Sequence, residues 1–399
     1  MMKKHCYLAL CLLLIVMQSY AQSGKADKAL LIKTAAALQL AAKQYKLMRQ
    51  HVPDSTLPRS TNAKDGSLMV ANSTWWTSGF YPGTNWFLYE YTKDPAFKEE
   101  ALKRMALIKK EQYNTHTHDL GFMMYCSFGN AWRITKDTAW KNILLTSAKS
   151  LSTRFNPTTG CIRSWDHGVW KFPVIIDNMM NLELLNWASR ESGDPQYAQI
   201  ARTHANTTMK HHFREDYSSF HVVDYDPGTG AVYERKTHQG AADSSAWARG
   251  QAWGLYGYTM MYRDTKDIAY LEQACHIADF ILNHPHMPAD GVPYWDFDAP
   301  GIPNAPRDVS AAAVTASALL ELSRYTDKAT AGRYWRAAEK TLHSLCSSAY
   351  LAKEGENNNF ILLHSVGSLP HTSEVDVPLT YADYYFVEAL LRYRQWASR

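Results

Sequence analysis

A short turn recurs along this chain: TKDPAF (92–97), TKDTAW (135–140), SGDPQY (192–197) and TKDIAY (265–270) each run from polar residues through an Asp to an aromatic. Asp is a favoured helix N-cap and Pro a favoured first helical residue, so every copy marks a helix start. The stretches before the copies (NWFLYEY, FGNAWRI, NLELLNWASR, WGLYGYTMMYR) place aromatic and aliphatic residues at three- and four-residue spacings, so they are helical too. A weaker fifth copy, SRYTDKATAGRYWRAAEKTL, follows the alanine-rich VSAAAVTASALLEL. Copies 40 to 75 residues apart are helical hairpins with variable loops, and such hairpins stack because none buries its apolar face alone. Strand signals are scarce, and residues 309–322 are apolar nearly all round, which places that helix in an inner ring. The chain is therefore expected to be all-α: five to seven hairpins closed into a toroid, of the (α/α)6 type. No Pro/Gly/Ser-rich linker divides the repeats, so one domain is expected over 23–399.

Residues 1–22 read as a secretory signal: Lys3 and Lys4, an apolar run from Tyr7 to Met17, and small residues Ser19 and Ala21 at cleavage spacing. That run is too short to span a bilayer, and nothing later is long and apolar enough. Leu10 before Cys11 disfavours a lipoprotein. The expected location is outside the cytoplasm, periplasmic or secreted. The formal charge of +4 includes Lys3 and Lys4, and no basic run points to nucleic acid or a membrane surface. Cys126, Cys161, Cys275 and Cys346 are widely spaced with no CxxC, which excludes zinc-knuckle and redox motifs. An exported chain can form disulfides, but one this long can build its core without them, so buried thiols are the expectation.

Two acids stand in apolar company. Asp119 in THDLGF precedes Phe122-Met123-Met124-Tyr125, and Asp177 in PVIIDNMMNLELLNW follows Val174-Ile175-Ile176. Burying a lone acid is costly. Either suits an N-cap taken singly, but loops at one end of a toroid's inner helices converge on a central cavity, where both could face a pocket. Helix N-termini also favour anions there. Tryptophans set among Gly, Pro and polar residues, densest in HQGAADSSAWARGQAWGLYGY, suit a sugar pocket. Arg249, between Trp247 and Trp253, could hold a carboxylate by paired hydrogen bonds or could brace a helix cap.

WTSGFYPG (76–83), HDLGF (118–122), IIDNMMN (175–181), THQGAADSSAWARGQAW (237–253) and YADYYFVEALLR (381–392) together resemble the unsaturated glucuronyl hydrolases, glycoside hydrolase family 88, in order from about residue 70 to the C-terminus. The resemblance implies an α/α-barrel enzyme, with no cofactor or metal, acting on glycosaminoglycan oligosaccharides released by polysaccharide lyases, whose non-reducing uronic acid carries a C4=C5 double bond. It further implies that Asp177 protonates C4 and then takes a proton from the water attacking C5, so its pKa should be raised. Asp119 matches the second essential acid. His118, Trp76, His221, Gln239, Arg249 and Trp253 match pocket positions, with Gln239, His221 and Arg249 assigned to polar groups of the uronate and Trp76 and Trp253 to walls. Trp165 is assigned to the adjacent sugar. The C-terminal loop HSVGSLPH (364–371) keeps Ser365 and Ser368 but has Pro370 where some sulfate-accepting relatives of that family carry Lys, which leaves acceptance of sulfated substrates open.

Competing readings make different predictions. A metal hydrolase would use His116, His118 and Asp119 with His211 and His212. A non-catalytic glycan-binding repeat protein would bind without turnover. An epimerase on a similar toroid would conserve substrate mass, and a hydrolase of unsaturated rhamnogalacturonan fragments would share the barrel.

Overall fold

The computed structural model describes residues 27–397, and the secretory-signal stretch read at 1–22 lies outside them. The described residues form helices α1 (Lys28–His51), α2 (Phe80–Thr92), α3 (Pro95–Ile108), α4 (Asn130–Thr135), α5 (Thr138–Ser152), α6 (Leu182–Ser192), α7 (Pro195–His211), α8 (Ala248–Thr265), α9 (Ile268–Asn283), α10 (Val309–Leu322), α11 (Lys328–Leu345) and α12 (Thr380–Ala397).

The recurring turn explains how they alternate. In TKDPAF, the Thr92 hydroxyl donates to Leu88 O (2.7 Å) and accepts the Asp94 N–H (3.1 Å). Lys93, at φ 61°, ends α2 in the left-handed conformation, and the Asp94 carboxylate accepts the Ala96 N–H to start α3. Thr135-Lys136-Asp137 and Thr265-Lys266-Asp267 repeat the arrangement, while SGDPQY uses Gly193 at the left-handed position. One motif thus closes one helix and opens the next.

Each such turn leads from an inner helix to an outer one. Around the inner ring α2 meets α4, residues 121–129 leading into α4 meet α6, and α6, α8, α10 and α12 pack in turn, with α12 returning to α2 and closing the ring. Helices α3, α5, α7, α9 and α11 lie outside them, and α1 covers α12 to complete six hairpins. Every residue of α10 is buried, as its all-round apolar pattern predicts. At the end of the barrel bearing the repeated turns, Arg263 pairs with Glu183 and Glu321, and Arg392 pairs with Glu321 and Glu388, tying α6, α8, α10 and α12 together.

The connections from outer to inner helices carry the strands that the sequence barely signals: β1 (Leu57–Thr61), β2 (Leu68–Ala71), β3 (Phe155–Asn156), β4 (Cys161–Ile162), β5 (Pro173–Ile175), β6 (Val222–Tyr225), β7 (Val232–Lys236), β8 (Ser365–Ser368) and β9 (Ser373–Val377). They pair antiparallel as β1-β2, β3-β4, β5-β6-β7 and β8-β9. Because they precede inner helices, they gather at those helices' N-terminal end. Among the described residues no helix is long and apolar enough to cross a membrane. All four described cysteines are free; Cys126 and Cys161 are buried as expected, but Cys275 and Cys346 are half-buried.

The two acidic motifs interlock. Residues Gly121–Gly129 form a π-helical segment running into α4, and Ile176–Asn181 form a 3₁₀ turn running into α6. Asn181 Oδ1 accepts the Phe122 N–H (2.9 Å). A Cβ on Gly121 would lie 2.5 Å from Asn181 Cα, so the approach requires glycine. Replacing Gly121 with Ala is expected to destabilise the fold by roughly 1–3 kcal/mol through overpacking, read as a lowered denaturation midpoint; an unchanged midpoint would show that the joint relaxes freely.

Candidate active site

The β5–β6 pairing sets the centre of the site. Val174 lies opposite Val223 and Ile175 opposite Val222, so His221, one residue before β6, lies beside the turn carrying Asp177; the Ile176 N–H donates to His221 O (3.1 Å). His221 Nε2 is 3.7 Å from Asp177 Oδ2. His221 Nδ1 accepts two backbone N–H groups, from His238 (3.0 Å) and Gln239 (3.1 Å). With Nδ1 occupied as an acceptor, the neutral ring carries its proton on Nε2 and presents it toward Asp177. Burial holds the His221 pKa well below the ordinary histidine value, with His238 and Arg249 adding to the effect.

Asp177 is 7% exposed, and its Oδ2 lacks a hydrogen-bond partner of good geometry. Burial pushes its pKa up to about 7; Arg249 pulls the other way, the negative Asp119 adds to the rise, and the Trp253 indole N–H lowers it slightly. The carboxyl therefore holds its proton close to neutral pH, as the sequence predicts. Asn178, next in the motif, donates from Nδ2 to Ile162 O (2.7 Å) and anchors the turn from behind.

Asp119 does not cap the following helix with its side chain. Its Oδ2 accepts the Thr117 hydroxyl (2.8 Å), and its Oδ1 lies 3.2 Å from His118 Nε2. His118 is buried, its Nδ1 faces the Ser164 hydroxyl at 3.4 Å, and burial lowers its pKa, so a neutral imidazole orients Asp119. His118 therefore positions Asp119 rather than carrying charge itself.

Trp76 and Trp253 are brought together through Phe122: ring centroids are 5.5 Å apart for Trp76–Phe122 and 5.1 Å for Phe122–Trp253, and Tyr381 contacts Trp76 at 4.9 Å. Of this group, Trp253 acts directly on the Asp177 carboxyl. Trp165 stacks on His167 and meets His238, whose ring in turn meets His371 at 4.4 Å. Gln239 donates from Nε2 to Gly367 O (3.0 Å), bringing the C-terminal β8–β9 hairpin onto the site. In that hairpin Ser365 is buried, and the Ser368 hydroxyl lies 2.7 Å from His371 Nδ1.

Arg249 differs from the expected carboxylate clamp. Nη1 donates to Asp308 Oδ2 (2.8 Å) and to Val366 O, and Nη2 donates to Gly367 O (2.6 Å). Asp308 is the N-cap of α10, so the helix-bracing alternative describes this side chain's contacts. Its guanidinium, over the rings of Trp247 and Tyr381, acts on Asp177 by charge while locking the hairpin to the barrel. Asp308, Tyr381, His238 and His371 were not singled out from sequence. RDVSAAAV does signal Asp308 as a helix cap, but nothing local signals its pairing with Arg249.

Other tryptophans are dispersed. Trp86 is core, donating from Nε1 to Met105 Sδ, and Trp295 is also buried. Trp132 and Trp187 line a cavity of about 810 Å³ with Glu183, Arg263 and Arg392 at the repeated-turn end of the barrel. Neither Asp119 nor Asp177 lines this cavity. The metal-hydrolase reading fails on placement: the His116 side chain is 87% exposed and faces Asp166, while His211 and His212 pack on Tyr225.

No protein-family model matches the chain. It is 49% identical over 350 residues to an unsaturated glucuronyl hydrolase of Formosa agariphila, covering 87% of both chains. It is 36% identical over 346 residues to the unsaturated glucuronyl hydrolase of Bacillus sp. (strain GL1), covering 84% of this chain and 90% of the relative. A crystal structure of an unsaturated glucuronyl hydrolase specific for heparin superposes with a TM-score of 0.89 at 52% identity, over 91% of this chain and 97% of the other.

The raised carboxyl has a stability consequence. Between its ordinary pKa of 3.8 and about 7, Asp177 ionises in the unfolded chain but stays protonated when folded, so it destabilises the fold increasingly across that window. Asp177→Asn removes the effect. The variant is expected to be more stable by up to about 4 kcal/mol above pH 7 and no more stable near pH 4, measured by denaturant titration at both pH values. An equal gain at both would refute the assignment.

Proposed function

Because the chain belongs to the unsaturated glucuronyl hydrolases, a family of glycoside hydrolases, we propose that it removes the non-reducing-end Δ4,5-unsaturated uronic acid from lyase-generated glycosaminoglycan oligosaccharides. The observation that carries this reading is a buried carboxyl whose pKa is pushed up to about 7, acted on by a second carboxylate, Asp119, and by the Trp253 indole. An unsaturated uronate is a vinyl ether, and such a group is opened by acid-catalysed hydration. The protonated Asp177 gives its proton to C4, leaving an oxocarbenium centre shared by C5 and the ring oxygen. Water adds to C5 and returns a proton to the Asp177 carboxylate, which is again ready to act as an acid. The hemiketal then collapses: the C5–O bond breaks to a ketone, the former ring oxygen stays on C1, and the resulting hemiacetal releases the rest of the oligosaccharide as an alcohol.

The surrounding residues suit these steps. His221, with its proton on Nε2, supplies a neutral donor near Asp177 and the attacking water. Asp119, held by Thr117 and His118, binds ring hydroxyls and keeps Asp177 protonated by charge. Trp76 offers an apolar wall, while Trp253 is fully buried and backs the site through Phe122 rather than facing the sugar. Trp165 offers a face to the adjacent sugar, and Gln239 reaches polar groups of the uronate. Arg249 supplies positive charge within a fixed ion pair. Displacement at C1 is not the route, so the separation of the two acids carries no stereochemical information. We also propose that the protein acts after export, because residues 1–22 have the charge and apolar pattern of a secretory signal.

Hydrolysis destroys the conjugated double bond, so loss of its ultraviolet absorbance measures turnover directly. Asp177→Asn is expected to lower kcat by at least about 10²–10⁴-fold while disaccharide binding persists; a rate near that of the parent would sink the mechanism. The parent's kcat/KM is expected to fall as pH rises through about 7, where Asp177 loses its proton. Chelation is expected to leave turnover unchanged.

A further inference from the structure

Outside the catalytic pocket, His284-Pro285-His286 leaves the end of α9 and meets the turn at Asp296–Asp298. One ring nitrogen each of His284 and His286 and one carboxylate oxygen of Asp298 lie within 4.8 Å of one another, and among the described residues no other three His, Cys, Asp or Glu side chains converge in this way. We propose that these three side chains form a structural site for a divalent transition metal of the zinc type, with water completing the coordination.

Several independent features support the site. Two imidazoles and a carboxylate are a donor set that zinc accepts. His286 Nδ1 lies 2.7 Å from Phe297 O; donation there places the ring proton on Nδ1 and leaves the Nε2 lone pair free, which is how ligating histidines are commonly oriented. His284 is the C-cap of α9, where helix carbonyls favour positive charge. Asp216 and Asp298 act electrostatically on His284, and Arg214 senses Asp216, Asp298 and Asp296. Three carboxylates against one guanidinium leave a local surplus of two negative charges, matching a dication.

Two adjustments are required, and both are small. Bonds of about 2.1 Å bring tetrahedral donors to ~3.4 Å apart, so donors now within 4.8 Å of one another must close by up to ~1.4 Å; His286 and Asp298 are exposed and can rotate. His284 Nδ1 accepts the His286 N–H at 3.2 Å, so ligation through Nε2 shifts the His284 proton to Nδ1 and gives up this one long contact.

The site would stabilise the loop that carries Gln239. Asp298 Oδ2 accepts the Ala246 N–H (3.2 Å), and Asp296 accepts the Ala241 N–H (2.8 Å) and the Ser245 hydroxyl (2.7 Å). A metal on Asp298 therefore pins the turn from which segment 241–246 hangs. It takes no part in the reaction.

The test uses untagged full-length chain, stripped with chelator and titrated with Zn²⁺ by calorimetry, with Co²⁺ as a visible-absorbance probe. Expected are one saturable Zn²⁺ per chain, a Co²⁺ spectrum of nitrogen and oxygen ligation, and a Tm raised by several degrees through mass action. H284A/H286A and D298N should lose uptake and the Tm gain while retaining the parent's turnover, which also shows that they fold. His371→Ala should retain uptake. Absence of saturable uptake, uptake that survives H284A/H286A, or uptake lost in His371→Ala would each overturn the proposal without touching the hydrolase reading.

Discussion

The hydrogen bond from the Phe122 N–H to Asn181 Oδ1, made across the missing side chain of Gly121, is the joint on which the site depends. It fastens the start of one inner helical segment to the end of the turn carrying Asp177, so HDLGF and IIDNMMN become one structural unit. Phe122 then contributes its ring to the aromatic cluster between Trp76 and Trp253. The π-helical start of that segment is the kind of irregularity that concentrates at functional sites. A regular helix from residue 119 would rotate Phe122 and its neighbours to other positions around the axis.

Around this joint, charge is arranged to keep one carboxyl protonated without leaving it isolated. Burial raises the Asp177 pKa, Asp119 adds to the rise, and Arg249 moderates it from within an ion pair with Asp308. A freely hydrated guanidinium in the pocket could pair with Asp177 and hold it ionised. Locking Arg249 onto a helix cap and two hairpin carbonyls prevents this and fastens the β8–β9 hairpin over the site. His221 shows similar economy, since two backbone amides on Nδ1 fix both its neutral state and the direction of its remaining proton.

The two ends of the barrel divide the labour. The repeated Thr-Lys-Asp turns are tight and self-satisfied, and the inner helices at that end are joined by ion pairs among Arg263, Arg392, Glu183, Glu321 and Glu388. The opposite end carries the long connections, where short hairpins present functional groups from a rigid ring. Instability introduced by burying Asp177 is thus supported by packing elsewhere, the usual relation between strained sites and their scaffolds.

Much of this was legible along the chain because it is local. The N-capping Asp residues, the left-handed turn positions, the all-buried α10 and the alternation of inner and outer helices follow from side-chain chemistry within a few residues. The raised pKa of Asp177 was implied by the family resemblance, and its apolar neighbours supply the burial that causes it. The hairpins were missed, although VVDY and VYERK around DPGTG alternate as paired strands do. What no local pattern contained were contacts across the ring: the register that sets His221 against Asp177, the ion pair of Arg249 with Asp308, and the approach of Gln239 to Gly367. Those partners lie between about 40 and 130 residues apart in sequence, and only closure of the barrel brings them within reach. The sequence alone determined where helices begin and which residues are acidic, aromatic or apolar; the tertiary structure decided which of them face one another, because facing requires the ring to close.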